Sequence, residues 1–291
     1  MTSSVTGTRN WRQRHGAKLA WRRPLPHVFL LTYCLVAVLP IALVVINSFK
    51  SQRNIFDSPL GLPSISEATL EGYETLLDRG SFPTYFFNSM VVSLVSIVLI
   101  LVFGTFVSYL LGVHRFRGDR VLTLFFAAGL MIPIRLATIS ILRLTTWLGL
   151  VDSIWALVPV YIAQGLPIAV LILHPYYQSL DRSILEAARI DGASEYRVIG
   201  ITAPIVRPAL AAVAVFVMIP IWNDLWFPLI LASNEESKTV ILGVQQFFGQ
   251  FETNWTTVLA ALTLSMLPIL LLFLALSRWM IAGLTDGATK G

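Results

Sequence analysis

Six apolar stretches of roughly 20 residues, spaced by polar segments, leave this chain little choice of fold, because a helix of that length crosses a ~30 Å hydrocarbon core at ~1.5 Å per residue. They run from His27 to Lys50, Asn88 to Val113, Val121 to Trp147, Ser153 to Tyr177, Ala209 to Ala232 and Thr256 to Ser277. Composition agrees: 56% hydrophobic and 13% charged residues, with a mean hydropathy of +0.73, leave too few charges to solvate an ordinary soluble domain. The expected architecture is all-α, a polytopic membrane protein with six transmembrane helices.

Basic residues set the orientation, since retained Lys and Arg mark the cytoplasmic side. Arg9, Arg12, Arg14, Lys18, Arg22 and Arg23 precede the first span; Arg115, Arg117 and Arg120 follow the second; Arg182, Arg189, Arg197 and Arg207 follow the fourth. The opposite connections carry only Lys50, Arg53, Arg79 and Lys238, beside acids such as Asp57, Glu67, Glu71, Glu74 and Asp78. Both termini are therefore expected in the cytoplasm, with residues 1–26 a basic tail, 27–283 the six-span domain and 284–291 a second tail. The net charge of +5 is spread along membrane borders and not clustered with aromatics, so it does not describe a nucleic-acid surface.

The first span reads as a retained signal anchor: its apolar core exceeds the ~7–15 residues of a signal peptide, and Ile46-Asn47-Ser48-Phe49-Lys50 offers no small-residue cleavage site. Cys34, the one cysteine, lies within it and reads as a packing residue. The connection from Phe49 to Thr84 holds Pro59, Gly61, Pro63 and Pro83. A short helix is expected there from Ser66 to Leu77, capped by Ser66 or Thr69, folding over the outer face. Pro159, Gly165, Pro167 and Pro175 in the fourth span and Pro220 and Pro228 in the fifth predict bent helices. Bent helices are tolerated in lipid where they line a cavity or face protein.

Residues 180–208 are polar and charged within this apolar chain. Ser183 with Glu186 fits a capping box, Gly192 a helix stop, and Ser194 a second cap before a helix that Pro204 interrupts. Two short helices around a glycine elbow would present Leu185, Ala188, Ile190, Tyr196 and Val198, which a cleft on a cytoplasmic partner suits better than water. The alternative is a helix lying on the membrane. Asp181, Glu186, Asp191 and Glu195 balance the four arginines and count against it, because anionic lipid favours a basic face.

Glu186-Ala187-Ala188 followed by Asp191-Gly192-Ala193 and Pro204 resembles the EAA loop of binding-protein-dependent ABC importer permeases of the carbohydrate class. The likeness extends to Asn88-Ser89, Met131-Ile132-Pro133, Leu148-Gly149-Leu150, Trp222-Asn223-Asp224, Trp226-Phe227-Pro228, Gln245-Gln246-Phe247 and the segment from Gly283 to Ala288. One departure is a spacing from Gly192 to Ile201 that is a residue shorter than usual, with Ala203 where the family has leucine. The resemblance implies a type I importer permease fold in the bacterial cytoplasmic (inner) membrane, which is not an enzyme. It further implies four partner subunits: a second homologous permease, two copies of an ATPase and an external solute-binding protein. A sugar, oligosaccharide or polyol would be the substrate. Leu185, Glu186, Ala187, Ala188, Asp191, Gly192, Ala193 and Pro204 would form the ATPase-coupling loop, with Leu185 and Ala188 in the partner's groove. Lys290 and Gly291 would reach the ATPases, and Gln245, Gln246 and Phe247 the binding protein. No cofactor is expected on this chain: it has no G-x-x-x-x-G-K-[ST] loop, so ATP and Mg belong to the partners.

Arg135, Arg143 and Asp224 fall inside spans, where ionisable groups are costly and functional by default. Arg135 and Asp224 both lie roughly 21–23 Å from the cytoplasmic ends of their spans, so they can pair across helices near the outer half of the bundle. Such a pair would line or gate the pathway, or would be purely structural. Gln164, Trp222 and Asn223 are candidates to hydrogen-bond or stack on a sugar. The competing class is an ion-coupled secondary transporter, but only Asp224 would serve as its coupling acid and the two halves show no repeat. A membrane enzyme is disfavoured, because His15, His27, His114 and His174 share no ligand or nucleophile spacing.

Overall fold

A computed structural model describes residues 24–78, 81–248 and 253–288, with side chains placed for residues 26–78, 81–248 and 253–279. Among these residues every regular element is helical. In chain order they are α1 (Pro24–Asn47), α2 (Gln52–Asp57), α3 (Glu71–Asp78), α4 (Phe82–Val113), α5 (Asp119–Met131), α6 (Thr138–Trp147), α7 (Leu157–Gln178), α8 (Arg182–Ile190), α9 (Glu195–Thr202), α10 (Arg207–Trp222), α11 (Trp226–Leu231), α12 (Val240–Val244) and α13 (Trp255–Ala288), with 3-10 turns at Ile134–Ala137, Ile154–Ala156 and Gln245–Phe247. Helix α13 continues through Ala288, so the helix does not stop at the 283/284 boundary expected for a tail.

Four helices (α1, α4, α7 with its leading turn, and α13) are long and apolar enough to cross a membrane, and the total reaches six where each of two bent pairs counts as one span. The α4–α7 pair is the central packing unit. Small residues allow the close approach: the position of a Cβ on Gly104 falls 2.7 Å from that of Ala169, and on Gly165 falls 2.5 Å from Ile100 Cδ1. In lipid, where no hydrophobic effect drives helices together, such backbone proximity supplies much of the packing energy. Helix α10 packs on α13, α7 and α4, and α5 packs on α7.

The third span is not one helix. Between α5 and the segment Ile134–Trp147 the chain turns by 84°, at Ile132-Pro133. The 13 residues of α5 reach only about 20 Å, and α6 crosses its line nearly at a right angle. A second bend, of 83°, separates α9 from α10. Helix α10 stops at Trp222, and a short α11 resumes after Asn223-Asp224-Leu225. The fourth span, despite Pro167 and Pro175, is the continuous α7.

The connection after α1 packs its helix on α13, but that helix starts at Glu71 and not at Ser66, with the Thr69 hydroxyl accepting from the Glu71 N–H at 3.1 Å. The Lys50 ammonium is buried and donates to Asn47 Oδ1 at 2.8 Å and to the Ser58 carbonyl at 2.7 Å, fastening the chain that leaves α1. Side chains 26–41 of α1 are exposed, and its last turns are partly buried, the helix packing on α13. Cys34 is exposed among the described residues, contrary to the reading of it as a packing residue.

Candidate functional site

Three sites emerge from this framework: a hairpin at one end, a cavity where two broken spans meet, and a fastened loop at the opposite end.

The hairpin is α8 and α9. Helix α8 begins two residues earlier than the predicted box: Asp181, not Ser183, is its cap, with Oδ1 accepting from the Ser183 N–H at 2.9 Å. That amide first, and the Ser183 hydroxyl second, hold the Asp181 carboxyl below its ordinary range. The Ser183–Glu186 capping box is therefore not formed. At the other end, the Gly192 N–H donates to the Arg189 carbonyl and the Ala193 N–H to the Ala188 carbonyl, each at 3.0 Å. This is a Schellman closure, and it needs Gly192 at its φ of +76°. Helix α9 then runs to Thr202, ahead of Pro204.

The apolar residues of the hairpin divide differently from the prediction. Leu185 (5% exposed), Ala188 (8%) and Val198 (0%) turn inward and join this chain's own core. Leu185 and Ala188 are thus not free to enter a partner's groove. Ile190 (86% exposed) and Tyr196 (77%) remain outside, with Glu186, Ala187, Asp191 and Gly192 also on the surface.

Glu195 locks the elbow, a role sequence inspection missed. Its carboxylate accepts from Arg189 (Nε at 3.0 Å, Nη2 at 3.3 Å) and from the Tyr109 hydroxyl near the end of α4, and His114 Nε2 lies 3.3 Å away. The Arg189 guanidinium first, and the Tyr109 hydroxyl second, hold the Glu195 carboxyl down at about 2 against an ordinary 4.5. One acid therefore joins α8, α9 and α4. The signal is not local in sequence, since Tyr109 and Glu195 are 86 positions apart.

The cavity, of about 310 Å³, lies where the α5–α6 bend meets the α10–α11 break, with Arg135, Gln164, Pro220, Asn223, Asp224 and Phe227 among its walls. Four of the five pathway candidates line it. Trp222 does not: its ring is buried, its Nε1 donates to the Ser265 carbonyl at 2.9 Å, and Phe86 meets it edge-on at 5.7 Å. Asn223 Nδ2 donates back to the Ile219 carbonyl at 2.9 Å.

Arg135 and Asp224 do come together, with Nη2 and Oδ1 4.0 Å apart. The two ends of that pair differ, the Arg135 side chain being 68% exposed and that of Asp224 7%. Asp224 is committed elsewhere: it accepts from the Tyr161 hydroxyl at 3.0 Å and from the N–H groups of Trp226 and Phe227 at 3.2 Å each. It caps α11 and holds the break. Arg135 leans over the Trp226 ring, 6.0 Å from its centroid, and Trp226 Nε1 donates to the Thr138 hydroxyl at 3.0 Å. Arg143 is exposed on α6.

At the opposite end, the strand of chain after α11 is pinned to the top of α4. Asn88 Nδ2 donates to the carbonyls of Glu236 (2.8 Å) and Lys238 (3.0 Å), and Ser89 Oγ accepts from the Val240 N–H at 2.8 Å. Glu235 accepts from the Tyr85 hydroxyl, from Lys238 Nζ at 2.5 Å and from Gln246 Nε2 at 3.1 Å. Lys238 first and Tyr85 second hold its carboxyl down at about 2. Gln245 and Gln246 are exposed and Phe247 is half-buried, while Lys290 and Gly291 lie outside the described residues.

A family model for the inner membrane component of binding-protein-dependent transport systems matches residues 104–285. The chain belongs to that family, and is a multi-pass permease subunit of an ABC importer that works with a solute-binding protein. Family membership sets aside the ion-coupled secondary carrier. A putative ABC transporter permease of Caldicellulosiruptor sp. is 31% identical, over 91% of this chain and 96% of its own length. The arabinooligosaccharides transport system permease of Bacillus subtilis is 28% identical, over 96% and 99%. A solved bacterial ABC transporter involved in import of the acidic polysaccharide alginate has a chain of the same fold, with a TM-score of 0.72 at 21% identity over 94% of this chain and 99% of that one.

Proposed function

We propose that this chain forms half of the translocation pathway for a carbohydrate in a bacterial cytoplasmic membrane and takes its driving force through the α8–α9 hairpin. A second homologous permease would supply the other half, and two copies of an ATPase would hold ATP and Mg, this chain binding no cofactor. The hairpin end would face the cytoplasm together with both termini, in keeping with the arginines there. Relatives named for arabinooligosaccharides, maltodextrin and diacetylchitobiose transport support a saccharide substrate.

The observation that carries this reading is the hairpin itself. Its inner face is anchored in the core and its elbow is closed by Gly192 and Glu195, so it is stiff enough to pass on a push. Its outer face offers Ile190 and Tyr196 among charges to an ATPase cleft. Rigid-body displacement of α4 and α10, which border the hairpin, would then open the pathway alternately to each side. At the cavity, Arg135, Gln164 and Asn223 offer hydrogen-bonding groups to a passing sugar. Gln245, Gln246 and Phe247 lie in a loop suited to meeting the binding protein, and Lys290 and Gly291 are assigned to the ATPase contact by family likeness.

The test is co-purification from the native membrane of wild type, Glu186→Lys and Gly192→Asp. An ATPase and a second permease accompanying the wild type, with the ATPase lost or uncoupled in the loop variants, is the expected result. A wild-type chain that purifies alone and carries solute into proteoliposomes without ATP would refute it.

A further inference from the structure

We propose that a cavity between the hairpin-end termini of α4, α5 and α7 binds a phosphate group, borne by an anionic phospholipid headgroup or free in solution. This cavity, of about 570 Å³, is separate from the one at Arg135 and Asp224. Three stretches of chain bring polar groups to it: Arg115 from the connection after α4, Arg120 from the first turn of α5, and His174 and Gln178 from the last turns of α7.

None of those four side chains has a hydrogen-bond or ion-pair partner among the described residues. Asp119, the acid in the lining, does not serve them: its Oδ1 accepts from the Arg120 N–H at 2.6 Å, in the first turn of its own helix. Two guanidiniums bring ten N–H donors in fixed forks, a geometry that suits phosphate oxygens and that a single carboxylate already engaged with the backbone does not saturate.

The walls also suit an amphiphile. Leu111, Thr123 and Leu124 complete the lining, and Leu124 is exposed one helical turn beyond Arg120, on the same face of α5. Val121 and Phe125 continue an exposed apolar surface beside it. A headgroup held by the arginines would leave its acyl chain against that surface. Basic pockets between spans at a membrane border are a recurring site for anionic lipid. Because α5 packs mainly on α7, a phosphate bridging Arg115, Arg120 and His174 would fasten the start of α5 to the ends of both central helices.

The experiment uses the importer purified from its native membrane, exchanged into phosphatidylcholine nanodiscs, with phosphatidylglycerol titrated in and retained lipid counted by native mass spectrometry. Arg117→Ala is the control, removing the same charge as either single cavity substitution, Arg115→Ala or Arg120→Ala, from the same connection but outside the cavity. One phosphatidylglycerol held by wild type and Arg117→Ala, and held about 25-fold more weakly by Arg115→Ala/Arg120→Ala, is the expected result, from about fivefold per arginine. Millimolar inorganic phosphate that binds in phosphatidylcholine alone, and is lost in the same double variant, upholds the phosphate site and assigns it a soluble ligand. Equal weakening by Arg117→Ala, or equal retention of both lipids with no phosphate bound, overturns the proposal. Retained assembly with the partner subunits shows that the variants are folded.

Discussion

Arg135 and Asp224 form a pair whose members are far from equal, and removing each in turn exposes the difference. Truncating Asp224 to Ala leaves the buried Tyr161 hydroxyl without its acceptor, at about 1–3 kcal/mol, and strips the cap from α11, at about 1 kcal/mol. The sum is a loss of roughly 2–4 kcal/mol. Truncating Arg135 removes an ion-pair contact at 4.0 Å from a side chain that is 68% exposed. With that screening the contact contributes at most about 1 kcal/mol. Equilibrium denaturation of the purified chain in mixed micelles, run as a double-mutant cycle with Arg135→Ala and Asp224→Ala, gives all three quantities. Coupling near or below 1 kcal/mol is expected. A loss from Arg135→Ala equal to that from Asp224→Ala, with coupling above about 2 kcal/mol, would refute the reasoning and make the pair a desolvated one. Exchanging the two charges is a poor test of proximity, since an arginine at 224 would face the Trp226 and Phe227 N–H groups as a second donor. We expect that double reversal not to restore transport.

Gly192→Ala forces a Cβ into a left-handed backbone, at about 1–2 kcal/mol, and should reduce ATPase coupling while solute binding to the binding protein is unchanged, as read by ATP hydrolysis against uptake. At Gly243 an added Cβ would lie 2.0 Å from the Tyr85 ring, so Gly243→Ala should displace Tyr85 from Glu235 and abolish stimulation by the binding protein; unaltered stimulation would count against a role for that loop. Glu195 has a depressed folded pKa, so its contribution is present above the ordinary value of 4.5 and is lost as pH falls from there through about 2. Protection factors of the amides of residues 185–198, which divide out the fall of intrinsic exchange with acid, should therefore hold at pH 5 and above and drop as pH falls from 4.5 towards 2, with Glu195→Gln already less protected at pH 5.

The membrane spans and the elbow were legible in the sequence because both depend on local chemistry. Twenty apolar residues must be a helix in lipid, and Gly192 is where a left-handed turn is cheapest. Depth along a span is likewise a matter of counting, and counting alone puts Arg135 and Asp224 at the same level. What counting does not supply is azimuth. Leu185, Ala188 and Trp222 looked like contact residues and are buried in the chain's own core, because only the packed neighbours decide which face of a helix turns inward. Glu195 stood in the sequence only as one of four acids balancing the hairpin arginines, and nothing there singled out Glu235. Their partners Tyr109 and Tyr85 lie 86 and 150 positions away, on one long helix that the fold brings to both ends of the molecule. Local sequence determined which segments are helix and where they stop. Tertiary structure alone decided that the third span bends by 84° and that its bend meets the break after Trp222, since a cavity exists only between elements that no stretch of sequence contains together.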